Sequence, residues 1–213
     1  MRAYFRILSQ FTLGLMVVIP LGMLLFPSVT RPHKSPAEQC QTNLKQLGLA
    51  MFQYTQDYDE KYPLVKVNEK GVSISNPWGW ADALQPYVPS STVYHCPSNP
   101  QYKNKPRPNS PKSWGYTDYF YNSRLSGVSQ TAVESVALTV MLGDGNDGTG
   151  GTSARYSLSA LPPKWRTDKK SPSHRHKGGA YYGFADGHVS WFKPGVINTD
   201  PARYDHVTFA VTY

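Results

Sequence analysis

Cys40, Leu44, Leu47, Met51, Tyr54 and Tyr58 recur at intervals of three and four, the period that places side chains on one stripe of an α-helix. Immediately before them, Ser35-Pro36-Ala37-Glu38 offers an N-cap, a proline at the first helical position and the third-residue glutamate of a capping box. The pattern predicts a helix from Pro36 to about Tyr58 whose stripe is buried against a sheet. A coiled-coil seam would need a longer repeat. From residue 63 to 113 prolines are frequent, so long loops with short elements are expected. Within them Trp78, Trp80, Leu84 and Tyr87 suggest one helical turn packed on the core. Residues 132–142 form an apolar run suited to a buried strand, ended by the turn sequence Gly143-Asp144-Gly145-Asn146-Asp147-Gly148. Asp186-Gly187, between two aromatic stretches, predicts a two-residue hairpin turn. Pairing across it sets Ala185 opposite His188, Phe184 opposite Val189 and Tyr182 opposite Trp191. Tyr182, Phe184, Val189 and Trp191 would then share the core face and His188 the other.

Residues 7–30 are uncharged over 24 positions, preceded by Arg2 and Arg6. Such a stretch is read as a membrane segment. The exit Phe26-Pro27-Ser28-Val29-Thr30 lacks a small-x-small cleavage site, which favours a retained anchor over a removable signal peptide. The two arginines keep the N-terminus cytoplasmic by the positive-inside rule. The expected organisation is an anchor over 1–30, a linker over 31–35 and an exported domain over 36–213, in a single-pass membrane protein.

The 213 residues suffice for one ordinary domain plus this appendage. With 18 Pro, 17 Gly and 17% charged residues, the chain resembles neither a disordered polyelectrolyte nor a helical bundle. The net charge of +8 favours acidic partners without naming one, and no nucleic acid is expected. No Walker loop, dinucleotide fingerprint or Gly-x-Ser-x-Gly element is present.

Cys40 and Cys96 are the only cysteines. In an exported domain they suit a disulfide, worth about 4 kcal/mol by loop closure; two buried thiols are the alternative. His174, His176, Asp186 and His188 have the chemistry of a divalent-metal site, although their spacing matches no zinc signature. A structural role fits as well, with His176 hydrogen-bonding a turn and fixing the Gly178-Gly179 bend. Asp144, Asn146 and Asp147 invite a calcium reading, but Gly148 and Arg155 stand where an EF-loop needs ligands, so a Gly-rich surface loop is preferred. Lys103, Lys105, Arg107 and Lys112 form an acid-free basic stretch that could hold a polyanion or simply be solvated.

Three segments together resemble a known group. They are the apolar start with Phe11-Thr12-Leu13 and Val17-Val18-Ile19, the run from Cys40 through Asn43, Gly48 and Met51 to Asp57-Tyr58-Asp59-Glu60-Lys61-Tyr62-Pro63, and His176 followed after nine residues by Asp186-Gly187. They are similar to bacterial prepilin-like proteins with a C-terminal H-x9-D-G box, and Cys96-Pro97-Ser98 adds to the likeness. The resemblance implies a pilin-like α+β fold, with an N-terminal membrane helix and an amphipathic helix packed on a small antiparallel sheet with long loops. It also implies a non-enzymatic, pseudopilin-like role in a type II secretion or type IV pilus-like assembly, with other pilin-like or secretion-system proteins and the inner membrane as partners. Gln10 stands where that family has Gly before the cleavage point, and Leu15 where pilins have Glu. Two other functions are carried alongside: a membrane-tethered module that holds acidic envelope polymers through the basic loops 103–112 and 164–177, and a metal-dependent domain around the His/Asp set. No cofactor is expected unless that set binds a divalent metal.

Overall fold

The computed structural model describes residues 34–67, 77–102, 105–148, 152–197 and 206–211. The anchor expected over residues 7–30 lies outside them, and among the described residues no helix is long and apolar enough to cross a membrane. Helix α1 spans Pro36–Asp57. Its start is the predicted one: the Glu38 backbone N–H donates to Ser35 Oγ at 3.3 Å, and Glu38 Oε2 accepts the Ser35 N–H at 2.7 Å. Cys40, Leu44, Leu47 and Met51 are fully buried. Tyr58 is not: it is the C-cap, half exposed, and stacks on Tyr54 at 4.1 Å. The buried stripe therefore continues through Thr55 rather than to Tyr58.

Five strands follow: β1 (Tyr119–Asn122), β2 (Val140–Asp144), β3 (Ser157–Leu158), β4 (Ala180–Phe184) and β5 (Val189–Phe192). Their order in the sheet is β3-β1-β2-β4-β5. The fold is α+β as expected, but the sheet is mixed rather than antiparallel, because β3 pairs parallel to β1. β3 lies on the opposite side of β1 from β2, and a parallel pair requires a crossover connection. The apolar run 132–142 becomes strand only from Val140; before it lie a 3-10 turn at Gln130–Ala132 and an exposed Val136. The turn expected around Trp80 is present as the one-turn helix Trp80–Ala83 followed by a 3-10 turn at Gln85–Tyr87.

Both faces of the sheet are covered. On one, Tyr119, Tyr121 and Met141 meet the α1 stripe together with Trp80 and Tyr94. On the other, Phe120, Val140, Tyr182 and Phe184 meet Leu161, Trp165 and Phe209 from the loop layer. This alternation follows from the period of two along β1 and β4.

The C-terminal hairpin forms, one residue out of the expected register. Tyr182 pairs with Ser190, Tyr181 with Trp191 and Gly183 with Val189, and the Phe184 N–H donates to His188 O at 2.9 Å. The loop thus has three residues, Ala185-Asp186-Gly187, with Gly187 at φ 88°. That is the pattern of a type I turn closed by a left-handed glycine, not the two-residue turn. The added residue moves His188 onto the Phe184 face, where the rings stack at 4.2 Å, and puts Val189 and Trp191 with Tyr181 on the other. Gly187 is also a docking point, since a Cβ there would lie 2.6 Å from the Phe52 ring of α1.

Candidate functional site

Two buried carboxylates at the ends of neighbouring strands organise the most polar part of the interior. Asp118, just before β1, is 0% exposed. Its oxygens accept both Arg107 Nη atoms, at 2.9 and 2.6 Å, Asn99 Nδ2 at 2.7 Å, Asn146 Nδ2 at 3.2 Å and the Cys96 backbone N–H at 2.9 Å. A buried charge is tolerated only when paired and hydrogen-bonded to this degree. Asp144, which ends β2, accepts the Tyr181 N–H at 3.0 Å, and its carboxylate lies 3.0 Å from His176 Nε2 and 3.5 Å from Arg175 Nη1. Arg175 also donates to the carbonyls of Gly145 and Asn146, at 2.6 and 3.1 Å.

Beside this pair runs the disulfide. Cys40 on α1 is bonded to Cys96, with 4.9 Å between their Cα atoms, so the two cysteines are joined as the export reading expects. His176 Nε2 is 3.6 Å from Cys96 Sγ. The histidine is also built into a tight turn: its N–H donates to Gly179 O at 2.8 Å, the Gly179 N–H donates back to His176 O at 3.2 Å, and Lys177 and Gly178 take φ of 55° and 81°. Trp191 Nε1 donates to His176 O at 2.8 Å. These are the bonds of a residue that fixes the Gly178-Gly179 bend.

The four residues considered for a metal do not converge. His176 sits at the disulfide. Asp186 and His188 face each other at the tip of the hairpin, with His188 Nδ1 2.6 Å from Asp186 Oδ1. His174 Nδ1 is 3.2 Å from Ser171 Oγ. Among the described residues, the one group of three or more potential ligands within reach of each other is Cys40, Cys96 and His176, and its sulfurs are bonded to one another. The basic stretch is also divided. Arg107 is turned inward onto Asp118, Lys112 lies 4.6 Å from the centre of the Trp78 ring, Lys105 is exposed, and Lys103 lies outside the described residues. The segment from Asp144 to Asn146, read from sequence as a Gly-rich surface loop, is buried: Asp144 is 1% and Asn146 4% exposed.

Sequence reasoning passed over Asp118, Asn99 and Arg175. Their types carry no motif, and only the joining of segments 11 to 31 residues apart reveals them. His95 was also passed over; burial, and secondarily the Arg107 charge, push its imidazole down to about 4.

Two clefts open from this hub, with Ser98 and Arg175 in the wall common to both. One, of about 730 Å³, runs along the start of α1 past His176 and Tyr181. The other, of about 620 Å³, lies between residues 98–101, 146–148 and 169–175.

The family model described as "Protein of unknown function (DUF1559)" matches residues 37–143. The chain belongs to this family. Neither a curated protein nor a solved structure matches it. In this DUF1559 chain the matched stretch takes in α1, both cysteines, Arg107 and Asp118 and ends one residue short of Asp144. His176, Asp186 and the basic residues lining the 620 Å³ cleft, Lys169, Lys170 and Arg175, lie beyond it.

Proposed function

We propose that this DUF1559 protein is a non-enzymatic, membrane-anchored, pseudopilin-like protein whose domain stands outside the cytoplasm and makes protein contacts in a secretion or pilus-like assembly. The observation that carries the reading is the Cys40–Cys96 bond. It clamps the first turns of α1 to the loop before β1, and bonds of this kind persist in oxidising compartments rather than in the cytosol. The helix so clamped begins three residues after residue 33, behind an apolar segment that suits an anchor. Supporting the non-enzymatic part, Asp118, Asp144 and Arg107 are occupied in holding loops to strands, and a general base or nucleophile needs an open partner for substrate.

The test is the intact mass of the protein extracted from its own membranes without reductant, read together with protease digestion of spheroplasts. The reading expects a mass short by two hydrogens relative to the dithiol and a domain digested from outside. A mass that begins at a methylated Phe11 would make it a processed pilin-type subunit, and one that retains residues 2–10 an uncleaved anchor. Free thiols together with protection from external protease would overturn the exported placement.

A further inference from the structure

The 620 Å³ cleft between residues 98–101, 146–148 and 169–175 lies within the size range of small-ligand sites, roughly 300–1,000 Å³, but its lining differs from theirs. Its side chains are almost all polar, with Pro100 the one apolar ring. The floor is rigid. Asn99 and Asn146, 3% and 4% exposed, are each tied by a side-chain amide to Asp118, and Arg175 is tied to Asp144 and two carbonyls. Asn146 holds φ at 61°, a left-handed conformation that asparagine adopts more readily than other non-glycine residues.

The rim carries the charge. Lys169 and Lys170 are exposed, and their ammonium groups have no hydrogen-bond or ion-pair partner among the described residues. The single carboxylate in the lining, Asp147, is matched by Lys164 Nζ at 3.1 Å and Trp165 Nε1 at 3.1 Å. His174 also lines the cleft, with Nδ1 on Ser171 Oγ at 3.2 Å. A rigid polar floor below two unpaired cations, with hydroxyl, amide and imidazole groups from Ser98, Gln101 and His174 at the sides, suits an anion that also bears many hydroxyls.

We propose that this cleft binds a carboxylated sugar unit of an acidic polysaccharide, with Lys169 and Lys170 on the carboxylate and Ser98, Gln101 and His174 on ring hydroxyls. An acidic peptide fits less well because the cleft lacks the apolar pocket in which a peptide anchor residue is desolvated. A phosphate chain fits less well because it only accepts hydrogen bonds and has no hydroxyl to donate to the amide oxygen of Gln101. The inference goes beyond the pseudopilin-like reading and does not depend on assembly.

The experiment uses the full chain in detergent and a fluorescent oligogalacturonate, with its methyl ester as the uncharged control and inorganic polyphosphate as the competing anion. Lys169→Ala/Lys170→Ala is compared with Lys45→Ala/Lys193→Ala, which removes the same charge from exposed positions outside the cleft. The expected result is binding of the oligogalacturonate that weakens as salt rises, no binding of the ester, a loss of at least about tenfold in the cleft variant and less than about twofold in the control. Absence of oligogalacturonate binding would overturn the proposal. So would equal loss in the two variants, which would mean net charge alone, or tighter Lys169- and Lys170-dependent binding of polyphosphate. Any of these leaves the exported, anchored reading to the mass and protease measurement.

Discussion

Replacing both cysteines, Cys40→Ala/Cys96→Ala, isolates what the disulfide contributes. The bond joins residues separated by 56 positions. In the chain-entropy model a loop of that length removes about 14 cal/mol/K from the unfolded ensemble, or about 4 kcal/mol at room temperature. Both side chains are 0% exposed, so losing their sulfurs from a close-packed site adds a cavity term of up to about 1 kcal/mol. Against a domain stability of roughly 5–15 kcal/mol, a loss of about 4 to 5 kcal/mol is large and corresponds to a fall of about 8–20 °C in Tm for a domain of this size. Urea unfolding followed by tryptophan fluorescence reads it, because Trp80 and Trp165 are buried. The midpoint should fall and the slope should rise, since an uncrosslinked unfolded chain exposes more surface. A loss below about 1 kcal/mol would refute the reasoning: it would mean that the capped helix and the Asp118 bonds already hold residues 40 and 96 together in the unfolded ensemble.

Gly187→Ala and Gly195→Ala form a second test, since both positions have left-handed φ, 88° and 92°, but only at Gly187 would a Cβ meet a neighbour, the Phe52 ring at 2.6 Å. Gly195→Ala should cost about 1 kcal/mol and Gly187→Ala about 2–4 kcal/mol; equal urea midpoints would show that the hairpin tip does not depend on seating against α1. The half-buried His95, whose imidazole is held down to about 4 chiefly by burial and then by Arg107, stays neutral in the folded chain while the unfolded chain takes up a proton near pH 6.5. Its contribution is therefore fully present above pH 6.5 and is lost as pH falls toward 4, by about 2 kcal/mol after allowance for partial exposure. His95→Gln should flatten the stability profile across that window, and an unchanged slope would place the acid sensitivity elsewhere.

The elements legible in the sequence are those whose causes lie within a turn or two of chain. Ser35 and Glu38 cap α1 across three residues, Leu44 to Met51 mark its buried face at helical spacing, and Asp186-Gly187 announces a reversal. The hairpin shows where this local reading stops. A left-handed glycine serves a two-residue or a three-residue loop equally well, and the choice between them inverted the faces of Val189, Trp191 and His188. Gly187 seats against Phe52 in the three-residue form, a contact set by α1 and invisible from the turn itself.

The start of α1, its buried stripe from Cys40 to Met51, the hairpin's position and the presence of two cysteines able to pair were determined by the sequence alone, because capping, periodicity and turn chemistry act over short separations. The mixed sheet, the inward turn of Arg107, the burial of Asp144 and Asn146 and the cleft floored by Asn99 and Asn146 were decided by tertiary structure. The last three depend on a buried carboxylate finding its donors. Asp118 draws them from residues 96, 99, 107 and 146, and no local pattern encodes which distant segments will supply the hydrogen bonds that a carboxylate removed from water must have.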